Sequence, residues 1–129
     1  MYWATLVARI LVGLPFFLLG LDHFAKVLTM PAPDFPENAM KFITALSASG
    51  YLNVVKALEV VGGAMLLSGR MAPLGLVLAT PVAVNIALFD VLLVGQPGLG
   101  VVLTALCFFL VWAYRSHFCA VFSTKAKIG

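Results

Sequence analysis

Charge is what this sequence has least of: eight Lys or Arg and five Asp or Glu among 129 residues. A soluble domain of that length cannot cover its surface with so few ionised side chains. Two cysteines, Cys107 and Cys119, exclude a disulfide framework, and neither belongs to a C-x-x-C motif. If the segment between them is helical they lie about 18 Å apart, too far to bridge; packing cysteines are the expectation. Two histidines, His23 and His117, fall toward opposite ends of the chain's apolar runs, so a bis-histidine haem is excluded as well. The runs also lack the strict alternation of a membrane β-barrel. The net charge of +3 is not concentrated in a patch, which gives no reason to expect nucleic-acid binding.

What is present is hydrophobic sequence, 63% of residues, with a mean hydropathy of +1.10. Apolar runs cover residues 3–28, 51–69, 73–94 and 99–116. Each has a length comparable to a hydrocarbon core of about 30 Å at about 1.5 Å per residue. Backbone hydrogen bonding in lipid requires helices there. The expected fold is therefore all-α: one domain, residues 1–129, built as a four-transmembrane-helix bundle. The first run lacks a basic segment ahead of it, since Arg9 already lies within it, and no small-x-small cleavage site follows. It reads as a retained helix rather than a signal peptide.

Basic residues orient the spans. Arg115, Lys125 and Lys127 follow the last run, the tail being residues 117–129, and Arg70 lies between the second and third. By the positive-inside rule that side is cytoplasmic, with both termini on it. On the other side, Lys26 and Lys41 are offset by Asp34 and Glu37, and the 95–98 turn is uncharged. Pro31, Pro33 and Pro36 stop the first helix. Asp34-Phe35-Pro36-Glu37 resembles a capping box, and Met40, Ile43 and Leu46 then recur at helical spacing until Gly50. A short amphipathic helix at the outer interface, residues 35–49, is predicted, either sealing the bundle or acting as a lid.

Polar groups gather in the outer half. Lys56 and Glu59 fall about 8 and 12 Å into the second helix, and Asp90 and Asn85 about 7 and 15 Å into the third. Asp22, His23 and Lys26 belong to the outer end of the first helix. Ionised groups in hydrocarbon cost about 3 kcal/mol each on insertion scales and mark function or pairing. Asp22, His23, Lys56, Glu59, Asn85 and Asp90 thus form the candidate intramembrane site. Arg9, Gly13, Phe16, Gly20 and His23 share one stripe of the first helix, and Glu59 shares a face with Gly62, Gly63 and Leu66. Pro81, one turn before Asn85, is expected to kink the third helix.

The stripe R-x3-G-x2-F-x3-G-x2-H, the segment LEVVGGAMLLSGR and the segment PVAVNIALFD resemble the DoxX family of small four-helix membrane proteins. The resemblance covers nearly the whole chain. It implies a bacterial inner-membrane location, with Arg9, Gly20, Glu59 and Gly63 as motif positions. It also implies an association with redox chemistry, through members linked to thiosulfate–quinone oxidoreduction and to oxidative-stress complexes; distant eukaryotic relatives act as assembly or cargo factors. His23 stands where many relatives carry Lys, and Asp90 where a His is common.

Several chemistries fit unequally. A metal site would need His23 to converge with Asp22, Glu59 or Asp90, and one His with scattered acids is a weak donor set. A proton-coupled transporter is a minor alternative, because Lys56 beside Glu59 holds that acid ionised. Quinone or lipid-headgroup binding suits a polar cluster beneath a lid, with Phe16, Phe17, Phe24 and Phe42 lining an apolar cleft. There His23 or Asp22 could exchange protons with a quinone oxygen, and Lys56 could donate to it. A purely structural reading stands beside it, in which Asp22, Lys56, Glu59 and Asp90 form a network that fixes helix packing. The remaining reading is a non-enzymatic scaffold or assembly factor whose glycine-rich faces dock another membrane protein; the same faces would allow a homodimer. No complete catalytic constellation is present in the sequence.

Overall fold

The computed structural model of the chain describes residues 2–25 and 35–128. Every regular element among them is helical. Helix α1 runs Tyr2–Ala25, α2 Glu37–Ser49, α3 Tyr51–Ser68 and α4 Ala72–Leu88, which continues as a π-helical turn, Phe89–Val94. Then come α5, Leu99–Ala113, and a short α6, Arg115–Phe118, ending in a 3₁₀ turn at Cys119–Phe122. Three helices, Tyr2–Ala25, Tyr51–Ser68 and Ala72–Val94, are long and apolar enough to cross a membrane. A fourth crossing requires counting Leu99–Ala113 and Arg115–Phe122 as one span, although they meet at a bend of 81°.

That bend departs from the expected helix over 99–116. α5 ends at Tyr114, whose backbone leaves the helical region (φ −98°, ψ 20°). Its terminal carbonyls find donors locally: Tyr114 N–H donates to Leu110 and the Arg115 guanidinium to Trp112. The Arg115 guanidinium also lies 4.7 Å from the centre of the Trp112 ring, a cation–π contact that holds the turn.

Glycines set the spacing of the helices. α1 packs on α3, α3 on α4, α4 on α5 and α5 back against α1. A Cβ on Gly63 would lie 2.6 Å from Phe17 N and 2.8 Å from the Gly13 carbonyl oxygen, so α1 and α3 touch backbone to backbone. Two turns along, a Cβ on Gly20 would lie 3.0 Å from the Lys56 carbonyl oxygen. Gly75 meets Gly62 between α3 and α4, and Gly100 meets Ala87 N between α4 and α5. The helix-one stripe and the Gly62-Gly63 pair thus work inside the chain. Between these contacts sits the buried core, built around Phe16, Leu66, Leu76, Leu103 and Leu110.

Gly50, with φ +81°, lets α2 end and α3 begin within one residue, a left-handed conformation that residues with a Cβ adopt at a cost. α2 thereby folds back against α3 and the π-helical turn. Its packed side differs by one position from the expected stripe. Ala39 is fully buried and Phe42, Ile43 and Leu46 are half-buried, whereas Met40 is 43% exposed. The residue preceding α2 is Pro36, which makes no side-chain cap. The Asp34 side of the expected capping box, with Lys26, Pro31 and Pro33, lies outside the described residues.

Candidate functional site

One turn of α3 carries the central feature. Lys56 Nζ lies 3.2 Å from Glu59 Oε2, an i,i+3 pair that helical geometry brings together. Glu59 is held under the α1 backbone by the close approach at Gly20 and Gly63, and its side chain is only 3% exposed. Lys56 keeps 23% exposure. Both residues line a cleft of about 270 Å³ formed by α1, α2, α3, the α4 π-turn and α5.

The walls of this cleft are mostly apolar. Phe16 forms part of the α1 side, and Phe42, Ile43 and Leu46 of α2 cover it. Phe89 packs edge-on to Phe35 with ring centres 5.3 Å apart, and tilted against Phe42 at 5.7 Å. These three rings link the segment before α2, α2 itself and the π-turn. Polar groups are few: Lys56, Glu59, Asn85 and Asp90.

The structure therefore gathers four of the six expected site residues around one cleft, in unequal states. Asn85 is exposed, on the rim, where it also lines a second depression with Phe42 and Leu92. Asp90 Oδ2 accepts the Gly100 amide at 3.1 Å. Asp90 thus satisfies a first-turn donor of α5, a capping role supplied from the preceding element. The π-helical turn makes this reach possible, since the Asp90 carbonyl accepts from Gly95 and Gln96 as the chain reverses.

Asp22 and His23 are not among the cleft-lining residues. His23 Nε2 lies 2.8 Å from Asn53 Oδ1 and its ring packs edge-on to Phe24, 5.2 Å between centres. His23 thus ties the end of α1 to the start of α3. Asp22 is half-buried on the same turn of α1. Of the phenylalanines expected in the cleft, Phe16 and Phe42 line it; Phe24 is exposed and the Phe17 backbone abuts Gly63.

Arg9 serves the other end of the helices. Its Nε donates to the Leu66 carbonyl at 3.0 Å and its Nη1 to the Tyr114 hydroxyl at 3.3 Å. The guanidinium lies against Gly69, the left-handed cap of α3. A cation at a helix C-terminus opposes the negative end of the peptide dipoles. Arg9, Gly20 and Gly63 are thus packing and capping positions around Glu59 and the α3 terminus.

Sequence reasoning missed Asn53, Phe35, Phe89 and Tyr114. Phe89 lines the cleft with Val82, Asn85 and Ile86 at i, i+3, i+4 and i+7, so its helical spacing from Asn85 was a signal that could have found it. Both cysteines are free: Cys107 is buried in the core, and Cys119 is exposed with its thiol donating to the Arg115 carbonyl. Among the described residues no three His, Cys, Asp or Glu side chains group to hold a metal ion. No family model matches the chain, and no curated protein or solved structure matches it either.

Proposed function

We propose that this chain is a four-helix integral membrane protein whose cleft binds an amphipathic carbonyl-bearing molecule, of which a quinone is the best-fitting class. The observation that carries the reading is the Lys56–Glu59 pair at the floor of an otherwise apolar, aromatic-walled cleft. Lys56 retains hydrogen-bond donors toward the cleft while Glu59 compensates its charge. A quinone oxygen accepts from such a donor, and its ring and isoprenoid tail match Phe16, Phe42 and Phe89. The Asn85 amide at the rim offers a second polar contact for a ring substituent.

The membrane placement follows the same reading. α1, α3, the α4 span and α5 cross the bilayer, and α2 lies at the outer interface over the cleft. Both termini face the cytoplasm, where Arg70, Arg115, Lys125 and Lys127 are found. The resemblance to the DoxX family adds a bacterial inner membrane and a redox or stress-response setting. In this reading the protein holds a quinone for a partner.

Purification in a mild detergent, followed by solvent extraction and mass spectrometry, tests the proposal. Co-purified quinone, or saturable binding of a short-chain ubiquinone analogue by calorimetry, is the expected result. Protein that carries none and binds none overturns it. The scaffold alternative would rest on a surface other than the glycine faces, because Gly13, Gly20, Gly62, Gly63, Gly75 and Gly100 all contact the chain's own helices.

A further inference from the structure

At the end of the helices opposite the cleft, a second cavity of about 290 Å³ is lined by Tyr2, Thr5, Leu6, Arg9, Ala113 and Tyr114. Its polar groups are all able to donate. Of the five N–H bonds of a guanidinium, Arg9 commits one to Leu66 and one to Tyr114. The Tyr114 hydroxyl accepts that bond, which leaves its own proton for another acceptor. Thr5 and Tyr2 are the other hydroxyl-bearing residues of the lining, and no carboxylate lines the cavity. Among the described residues Arg9 has no acidic partner; the ion pairs are Lys41–Glu37 and Lys56–Glu59. The α3 terminus offsets its charge in part, since a helix end carries about half an elementary charge.

We infer that this cavity binds the phosphate of an anionic phospholipid headgroup. A cation with unengaged donors beside these hydroxyls is complementary to a tetrahedral oxyanion. The surroundings decide for a lipid over a free phosphate. Tyr2 and Trp3 are 71% and 73% exposed beside the cavity, and Trp112 is exposed next to its Ala113 wall. Amphipathic rings in that arrangement sit at the headgroup level of a bilayer. Leu6 and Ala113 give the cavity an apolar side that suits the glycerol and upper acyl chain. Tyr114 also marks where the chain turns by 81°. The turn takes the following segment toward α4, where Phe118, Val121 and Phe122 line a depression with Leu76 and Val77, and Lys125 and Lys127 lie beyond it in sequence. The site lies apart from the cleft, and the inference does not depend on what the cleft holds.

Native mass spectrometry of the full chain in dodecyl maltoside, with phosphatidylglycerol, phosphatidylcholine and inorganic phosphate as separate probes, tests this. One phosphatidylglycerol retained per chain, preferred over phosphatidylcholine by about tenfold or more, is expected. Arg9→Gln should lower that retention by about tenfold. Because Arg9 also caps α3, Ala113→Leu serves as the second variant: it fills the cavity without removing either Arg9 hydrogen bond and should lower retention to a similar degree. Equal retention of the two lipids overturns the inference, as does wild-type retention of phosphatidylglycerol by Ala113→Leu. Displacement of the lipid by millimolar inorganic phosphate would reassign the cavity to the free anion and overturn the lipid assignment.

Discussion

Lys56 and Glu59 face each other across one turn of α3 at 3.2 Å, and they differ in what else they meet. Glu59 is sealed against α1, whereas Lys56 opens partly into the cleft. The acid is thus the anchor of the pair and the amine its working end. Burial of Glu59 is imposed by glycines: a larger residue at Gly20 or Gly63 would push α1 away from the turn that carries it.

Glu59→Gln should therefore leave an uncompensated cation in an apolar setting. Removing one partner of a buried pair costs about 3–5 kcal/mol. The partial exposure of Lys56 places the expected loss near the lower end, about 3 kcal/mol. The double variant Lys56→Met with Glu59→Gln removes both charges and should recover much of that loss. Thermal unfolding followed by circular dichroism in detergent reads both numbers. A double variant no more stable than the single would mean that the pair is not a charge-compensated unit. Under the quinone proposal the folded double variant should no longer bind the quinone analogue.

Gly63→Ala should destabilise strongly and Gly62→Ala mildly, although the two glycines are adjacent. At Gly63 the added Cβ meets backbone atoms at 2.6 and 2.8 Å, which cannot rotate away. At Gly62 the nearest atom is the Gly75 oxygen at 3.3 Å, which has to give only slightly. Overpacking of a tight contact costs about 1–3 kcal/mol, so Gly63→Ala should fall at or above the top of that range. Equal unfolding temperatures for the two variants would contradict the helix spacing described here.

Much of this architecture was legible in residues 1–129. Three helices long and apolar enough to span could be read from hydropathy, and the tight faces from glycine spacing. The meeting of Lys56, Glu59, Asn85 and Asp90 was legible because depth along a helix follows from a fixed rise per residue. Rotation about the helix axis was less so. Asp90 meets the Gly100 amide because the chain reverses after the π-helical turn, with Gly95 and Gln96 donating back to the Asp90 carbonyl, a path that apolar periodicity does not encode. His23 found Asn53 instead of the cleft, because a polar side chain near a helix end takes the nearest partner on the next helix. The break at Tyr114 was hidden for a related reason. The local Arg115 contacts to Trp112 are joined there by a tertiary bond, Arg9 to the Tyr114 hydroxyl, which helical periodicity does not reveal.

Asp90→Ala should act on folding rather than on ligand. It strips the Gly100 amide of its acceptor at the start of α5, a loss of about 1–2 kcal/mol for a helix cap. Asp90→Asn keeps an oxygen in the same place and should lose no more than about 0.5 kcal/mol. Unfolding temperature measured beside quinone-analogue affinity separates the roles. A fall in affinity for Asp90→Asn at unchanged stability would return Asp90 to the binding site.

Asn85→Leu should move stability and binding in opposite directions. The Asn85 side chain is exposed on the rim of the cleft, within a mostly apolar span, and among the described residues no side chain hydrogen-bonds its amide. A leucine of similar size there gains from lipid or detergent contact, because apolar side chains insert more favourably than polar ones. An unfolding temperature higher by about 4 °C corresponds to about 1 kcal/mol for a chain of this size. A residue retained at a cost to stability is one that serves something else. If the Asn85 amide contacts a bound headgroup, the same substitution should weaken the quinone analogue by about tenfold, the order expected for one lost hydrogen bond. Unfolding temperature and affinity measured on one preparation decide between the two roles: higher stability with weaker binding assigns Asn85 to the ligand, whereas lower stability assigns it to the fold.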